Sequence, residues 1–256
     1  MTQGKPESLE YCIFKYFGDA RVSPRHDIPL YPGDGLLNFI CEIPKATTAK
    51  MKLITHETGN PIRHDAKDGV LRYYRQQTSW NYGMLPQTWV DPDFIDPVVE
   101  LGGDNDPTNV VDISSEYTCE IGGVYKVKPL GAYALLDNGE VDWKIIVINA
   151  DDPKAPYLED VDDIETEFPG ELKKILEWLR NDKFPDSPSI VFDYNNTAFD
   201  GAFSREFANN TARRRLLQTD RLFYRDFSMQ VVNRTNEQYN SLKSGARPNT
   251  VDLSLF

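Results

Sequence analysis

Leu136-Asp137-Asn138-Gly139-Glu140-Val141-Asp142-Trp143-Lys144 sets a turn dipeptide among acidic and apolar residues. Asn138-Gly139 stands between two apolar runs, and Asn-Gly tolerates the positive φ that both central residues of a two-residue hairpin turn require. The flanking segments, Gly122–Tyr133 and Asp142–Ile148, therefore read as paired strands. Further out, from Glu10 to about Ala150, short apolar and aromatic segments are broken by Gly, Pro, Asp and Asn clusters. Candidate strands are Leu9–Tyr16, Leu36–Glu42, Lys50–Thr55, Leu71–Tyr74 and Val110–Ile113, with Asp68-Gly69 as a second turn. Short strands at this spacing predict a barrel or a sandwich.

The period changes after Phe168. Pro169 suits a first helical position, and Leu172, Ile175, Leu176 and Leu179 form the i, i+3, i+4, i+7 stripe of an amphipathic helix that ends near Asn181. From Ser187 onward arginines such as Arg213-Arg214-Arg215 alternate with aromatic and aliphatic residues, which reads as a second helical segment and an irregular tail. The expected organisation is mainly β with flanking α: a β domain with its flanking helix over residues 1–186, and a C-terminal helical extension and tail over 187–256, packed on or beside it.

A net charge of -12 argues against nucleic acid as a partner, because a phosphate backbone is bound chiefly through Lys and Arg. The longest aliphatic run, Ile145-Ile146-Val147-Ile148, is too short to insert in a membrane. Cys12, Cys41 and Cys119 are odd in number and far apart, with no His at metal-ligand spacing, so three free thiols in a reducing, intracellular compartment are expected. His26, His56 and His64 read as turn or surface residues, and Trp89, Trp143 and Trp178 as core.

Two acidic runs carry the chemistry. Gly103-Asp104-Asn105-Asp106-Pro107-Thr108-Asn109 sets two carboxylates one residue apart before an apolar strand, where their oxygens could hold a hard cation such as Mg²⁺. Either this run or the 136–144 run alone is an ordinary acidic turn. Together they resemble the paired metal-binding segments of the family I soluble inorganic pyrophosphatases, Asp-x-Asp-Pro-x-Asp and Asp-x-Gly-Glu-x-Asp-x-Lys. His26-Asp27-Ile28-Pro29-Leu30-Tyr31, Glu42-Ile43-Pro44, Asn81-Tyr82-Gly83, Pro86-Gln87-Thr88-Trp89 and Phe168-Pro169-Gly170 are similar in order and spacing, with the flavour of the eukaryotic members. The resemblance runs from about Leu9 to Lys183.

It implies a closed, OB-like β-barrel flanked by helices, and a site for pyrophosphate with Mg²⁺. Asp104, Asp142 and Asp137 would be metal ligands, Glu42 would support them, and Asp106 would be the general base. Lys50, Arg72, Tyr82, Lys144 and Lys183 would hold the phosphates. Three positions depart from the family pattern: Lys52 replaces a glutamate, Asn109 the third aspartate of the first run, and Asp182 a tyrosine. An amide is a poor ligand between cations, and an ammonium facing a metal position repels the ion. The expectation is therefore a pyrophosphatase-like protein with an impaired site, possessing no Mg²⁺ in the extreme and serving as a structural subunit of a larger assembly, in the cytoplasm or in a mitochondrial complex. The alternative is an active Mg²⁺-dependent enzyme; a third reading is a phosphate binder without hydrolysis. Family members form homodimers, which the resemblance extends to this chain.

Overall fold

A computed structural model describes residues 1–137, 139–181, 190–192 and 225–246. Four short strands, β1 (Thr2–Gln3), β2 (Cys12–Ile13), β3 (Lys15–Phe17) and β4 (Ala20–Val22), lead in. They are followed by β5 (Leu37–Ile43), β6 (Met51–Leu53), β7 (Ile62–His64), β8 (Ala66–Lys67), β9 (Val70–Leu71), β10 (Asn81–Met84) and β11 (Asn109–Asp112). The long strands β12 (Val124–Asp137) and β13 (Glu140–Asn149) come next, then helices α1 (Val161–Glu167) and α2 (Glu171–Asn181), strand β14 (Ile190–Phe192) and helix α3 (Arg225–Lys243).

The predicted hairpin is present. Asp137 pairs with Glu140, so the connection is two residues long, and Gly139 takes the positive φ of 86° that a side chain resists. Asp68 and Gly69 turn β8 into β9 in the same way, with φ of 53° and 78°. In the main sheet the order is β13, β11, β10, β5, β12 and β14, and β12 pairs with β13 as well as with β5. Its strands are antiparallel except for the β11–β13 pair.

Alternation along the strands divides the core in two. Tyr133, Leu135, Ile146, Ile148, Val111, Tyr82 and Met84 face one side, where they meet Val161 and Ile164 of α1 and Leu172, Ile175, Leu176, Trp178 and Leu179 of α2. Burying side chains of this size stabilises by roughly 1.5–3 kcal/mol each. Ala132, Ala134, Leu136, Trp143, Ile145 and Val147 face the other side, covered in part by Val231 and Val232 of α3.

Several expectations are corrected. The Leu9–Tyr16 segment is divided between β2 and β3, which belong to different sheets. Pro169 lies outside α2, because Gly170 at φ 76° turns the chain between the helices and α2 starts at Glu171. Helix α1 was not foreseen, although it carries a reciprocal cap: Asp160 accepts from Val161 N–H, and Asp163 accepts from Asp160 N–H. Cys41 and Cys119 form a disulfide, their Cα atoms 6.3 Å apart, and only Cys12 is free among the described residues. They lie 78 residues apart in sequence and meet because Cys41 in β5 accepts, at its carbonyl, the N–H of Gly122, three residues after Cys119. His64 is buried rather than superficial, its Nε2 at 2.8 Å from the Arg72 carbonyl, and His26 Nδ1 lies 2.9 Å from the Tyr239 hydroxyl on α3. Trp89, Trp143 and Trp178 are core, as expected. No described helix is long and apolar enough to cross a membrane. The Arg213-Arg214-Arg215 stretch lies outside the described residues.

Candidate active site

The face of the main sheet that receives α1 and α2 runs out, at one end, into a cleft of about 710 Å³. The alternation that points Ile146 and Ile148 into the core points Asp142 and Lys144 the same way one step earlier; Asp142 lines the cleft, and Lys144 is buried against it. Parallel pairing sets Asn109 of β11 beside Lys144, and antiparallel pairing sets Met84 of β10 beside Asn109. Glu42 from β5, Lys50 and Lys52 from around β6, Arg72 after β9, Tyr82 from β10, and Asp104, Asp106, Asn109, Asp137 and Asp142 all line this cleft. Residues from positions 42 to 142 are thus gathered by strand pairing and by the loops that the paired strands carry. Asp182 and Lys183 lie outside the described residues.

Lys144 is fully buried and forms an ion pair with Asp142, while its Nζ donates to Asn109 Oδ1 at 2.6 Å. An unpaired ammonium there would be costly; the carboxylate and the amide make it tenable. The Asn109 amide nitrogen donates to the Gly83 carbonyl at 3.3 Å. Asp65 Oδ2 receives both Lys50 Nζ at 2.9 Å and Arg72 Nη1 at 2.8 Å, two side chains that line the cleft. Burial opposes ionisation of Asp65, but Lys50 and Arg72 outweigh it and hold its pKa below the ordinary value. Asp65 thereby fixes two cationic side chains together, a role no sequence spacing announced.

Lys52 keeps 40% of its side chain exposed and is paired with Asp106. Its Nζ lies 2.6 Å from Asp106 Oδ2. Burial lowers the Lys52 pKa, yet Asp106, with Glu42 and Asp104, more than reverses that and the ammonium is retained. Glu42 is almost wholly enclosed, and burial pushes its carboxyl up to about 7 despite the Leu53 N–H that donates to Oε1 at 2.6 Å. Asp104 is driven well above the carboxylate range by burial and then by the charges of Asp142 and Asp106. Burial first, and neighbouring carboxylates second, also raise Tyr82.

The Asp104–Asp106 loop is held from behind. Asn105 adopts φ 65° and its side chain accepts from Trp89 Nε1 at 2.8 Å, while Asp106 N–H donates to Asp104 Oδ1 at 3.1 Å. Helix α3 supports both neighbours: Trp89 N–H donates to the Thr235 carbonyl, and Thr108 and Thr235 share a hydroxyl hydrogen bond of 2.9 Å. Sequence reasoning missed this contribution because α3 shows no motif of its own.

The donors suit a hard divalent cation in chemistry and charge: they are carboxylate oxygens, and Asp104 stands in a field short of positive charge. Among the described residues no three His, Cys, Asp or Glu side chains already stand in a ligating arrangement.

A family profile described as inorganic pyrophosphatase matches residues 39–214. The chain is 46% identical over 255 residues to soluble inorganic pyrophosphatase 1, chloroplastic, of Chlamydomonas reinhardtii, covering 99% of this chain and 82% of that protein. It is 38% identical over 262 residues to the inorganic pyrophosphatase of Candida glabrata, covering 98% and 82%. Among solved structures, the inorganic pyrophosphatase of Schistosoma japonicum matches with a TM-score of 0.82 at 33% identity, covering 98% of this chain and 83% of the other. The type I enzyme of Toxoplasma gondii matches with a TM-score of 0.79 at 34% identity, covering 94% and 98%. A mainly β fold with helices on its flanks, a cleft pairing cations with carboxylates, and likeness along nearly the whole chain lead to one conclusion: this protein belongs to the family I soluble inorganic pyrophosphatases.

Proposed function

We propose that this chain hydrolyses inorganic diphosphate to two phosphates with Mg²⁺. The observation that carries the reading is one cleft in which Lys50, Arg72 and Tyr82 face Asp104, Asp106, Asp137 and Asp142, with Lys144 beneath. Cationic groups on one side suit the phosphoryl oxygens, and carboxylates on the other suit the cations that neutralise them. Arg72 offers a planar fork, Lys50 and Lys144 point charges, and Tyr82 a hydroxyl kept protonated by burial. Lys183 belongs to the same set by resemblance. Asp104, Asp137 and Asp142, with Glu42 behind them, would hold Mg²⁺; when bound, it neutralises the substrate and makes a water acidic enough to attack. Asp106 takes the proton as that oxygen adds to one phosphorus and the bridging P–O bond breaks. Charge on the departing phosphate is absorbed by Lys50, Arg72 and Lys144. The pairing of β12 with both β5 and β13 supports a closed, OB-like barrel as the scaffold.

The expectation of a non-catalytic structural subunit gains no support from the relatives, which are pyrophosphatases by name, and the hydrolytic alternative fits better. One contact favours a second reading, slow turnover: the Lys52 ammonium sits on the proposed base. A homodimer rests on the family resemblance. Two relatives named as chloroplastic add the plastid to the cytoplasm and the mitochondrion as candidate locations. Phosphate release from diphosphate in excess Mg²⁺ tests the proposal. Turnover well above the uncatalysed rate is expected, and a folded protein that releases none overturns it.

A further inference from the structure

We propose that the Lys52 ammonium is a resident cation, filling a position beside Asp106 that a divalent ion would otherwise occupy. The inference deepens the diphosphate-site reading and rests on it. Lys52 is the central residue of the three-residue strand β6, so strand pairing with β7 through Arg63 fixes which way its stem leaves the backbone. A lysine at a cleft mouth ordinarily carries its charge outward to water. Here 40% of the side chain stays exposed, yet the ammonium itself makes a 2.6 Å ion pair with Asp106 Oδ2. Glu42 and Asp104 add their attraction from behind.

Asn109, which lines the same cleft, offers a second ion little. Asn109 is neutral, its oxygen accepts from Lys144 at 2.6 Å, and its nitrogen donates to the Gly83 carbonyl. Lysine at 52 and asparagine at 109 thus act together: one supplies a fixed positive charge, the other withdraws a negative one. A dication about 4 Å from an ammonium is repelled, at an effective dielectric near 20, by enough to weaken its binding far more than tenfold. Asp137 and Asp142, with Asp104 next to the Lys52 pair, remain for divalent ions. Diphosphate would then be met beside Asp106 by an ammonium that needs no dissolved metal to be present.

Calorimetric titration with Mn²⁺, a paramagnetic counterpart of Mg²⁺, counts the ions, and proton relaxation of the bound water gives the count independently. The native chain is compared with Lys52→Met and Lys52→Glu. Lys52→Met keeps the stem and so guards against a folding failure in the charge-reversed variant; far-ultraviolet circular dichroism checks both. One more Mn²⁺ in Lys52→Glu than in the native chain, and at least tenfold tighter binding of the weakest ion in Lys52→Met, are expected. Equal counts and affinities within twofold in all three proteins overturn the proposal while leaving the hydrolytic reading intact. A rise in ion count in Lys52→Glu, alongside a native chain that hydrolyses no diphosphate, supports the resident cation and removes the hydrolytic reading alone. No Mn²⁺ bound by any of the three removes both.

Discussion

Replacing Glu42 with glutamine should stabilise the metal-free protein in mild alkali and leave it unchanged in acid. Glu42 sits in β5 with 4% of its surface exposed, accepts one hydrogen bond from Leu53 N–H, and is pushed from the ordinary value of 4.5 to about 7 by burial. Between those two values the unfolded chain has released the proton while the folded chain keeps it. Folding therefore takes up a proton, and stability falls as pH rises through this window. Below pH 4.5 there is no penalty; above about pH 7 it is complete. At 1.36 kcal/mol for each pH unit, the gap amounts to about 3 kcal/mol. Glutamine is close in shape, accepts the same hydrogen bond and never ionises, so Glu42→Gln should recover that amount at pH 8. For a chain of this length, that corresponds to a Tm roughly 6–12 °C higher. Urea and thermal unfolding in chelator at pH 5 and pH 8 provide the assay, with the two proteins within about 0.5 kcal/mol at the lower pH. The same difference at both pH values, or a loss of stability at pH 8, would mean that Glu42 does not carry a buried-carboxylate penalty. Added Mg²⁺ should narrow the gap at pH 8, because positive charge nearby favours the carboxylate of the native protein.

Asp65→Ala removes the group that holds Lys50 and Arg72 together and should raise KM for diphosphate about 5–10-fold with kcat within about twofold; an equal loss in kcat would assign Asp65 to the reaction itself. Arg234→Met breaks the ion pair from α3 to the buried Asp96 carboxylate, which also receives Trp143 Nε1 at 3.1 Å and the N–H groups of Val98 and Val99. Because those donors remain, the loss in unfolding free energy should lie near the low end for a broken buried pair, about 2–3 kcal/mol, and a change below about 0.5 kcal/mol would show that α3 is held without this ion pair, by its packing and its other hydrogen bonds.

Local chemistry was legible. Asn138-Gly139 announced the hairpin between the two longest strands, and the spacing of Leu172, Ile175, Leu176 and Leu179 announced α2, because turn geometry and helical periodicity are properties of neighbouring residues. The strand Asn81–Met84 escaped notice: it is buried throughout its four residues and shows no alternation. Helix α1 escaped for another reason, its cap lying within an acidic run that resembles a loop.

The two acidic runs and the ordered matches around them were enough, as sequence, to indicate the family and to nominate the residues of the cleft. What those residues do to one another follows from how the chain packs. Lys52 could have faced solvent, and its contact with Asp106 depends on the placement of β6 against a loop more than fifty residues away in sequence. The Cys41–Cys119 bond, the sharing of Asp65 by Lys50 and Arg72, and the support of the Asp104–Asp106 loop by Thr235 arise in the same way. Periodicity and turn chemistry act over a few residues, whereas pairing between side chains distant in sequence depends on register, strand order and packing, which only the assembled fold supplies.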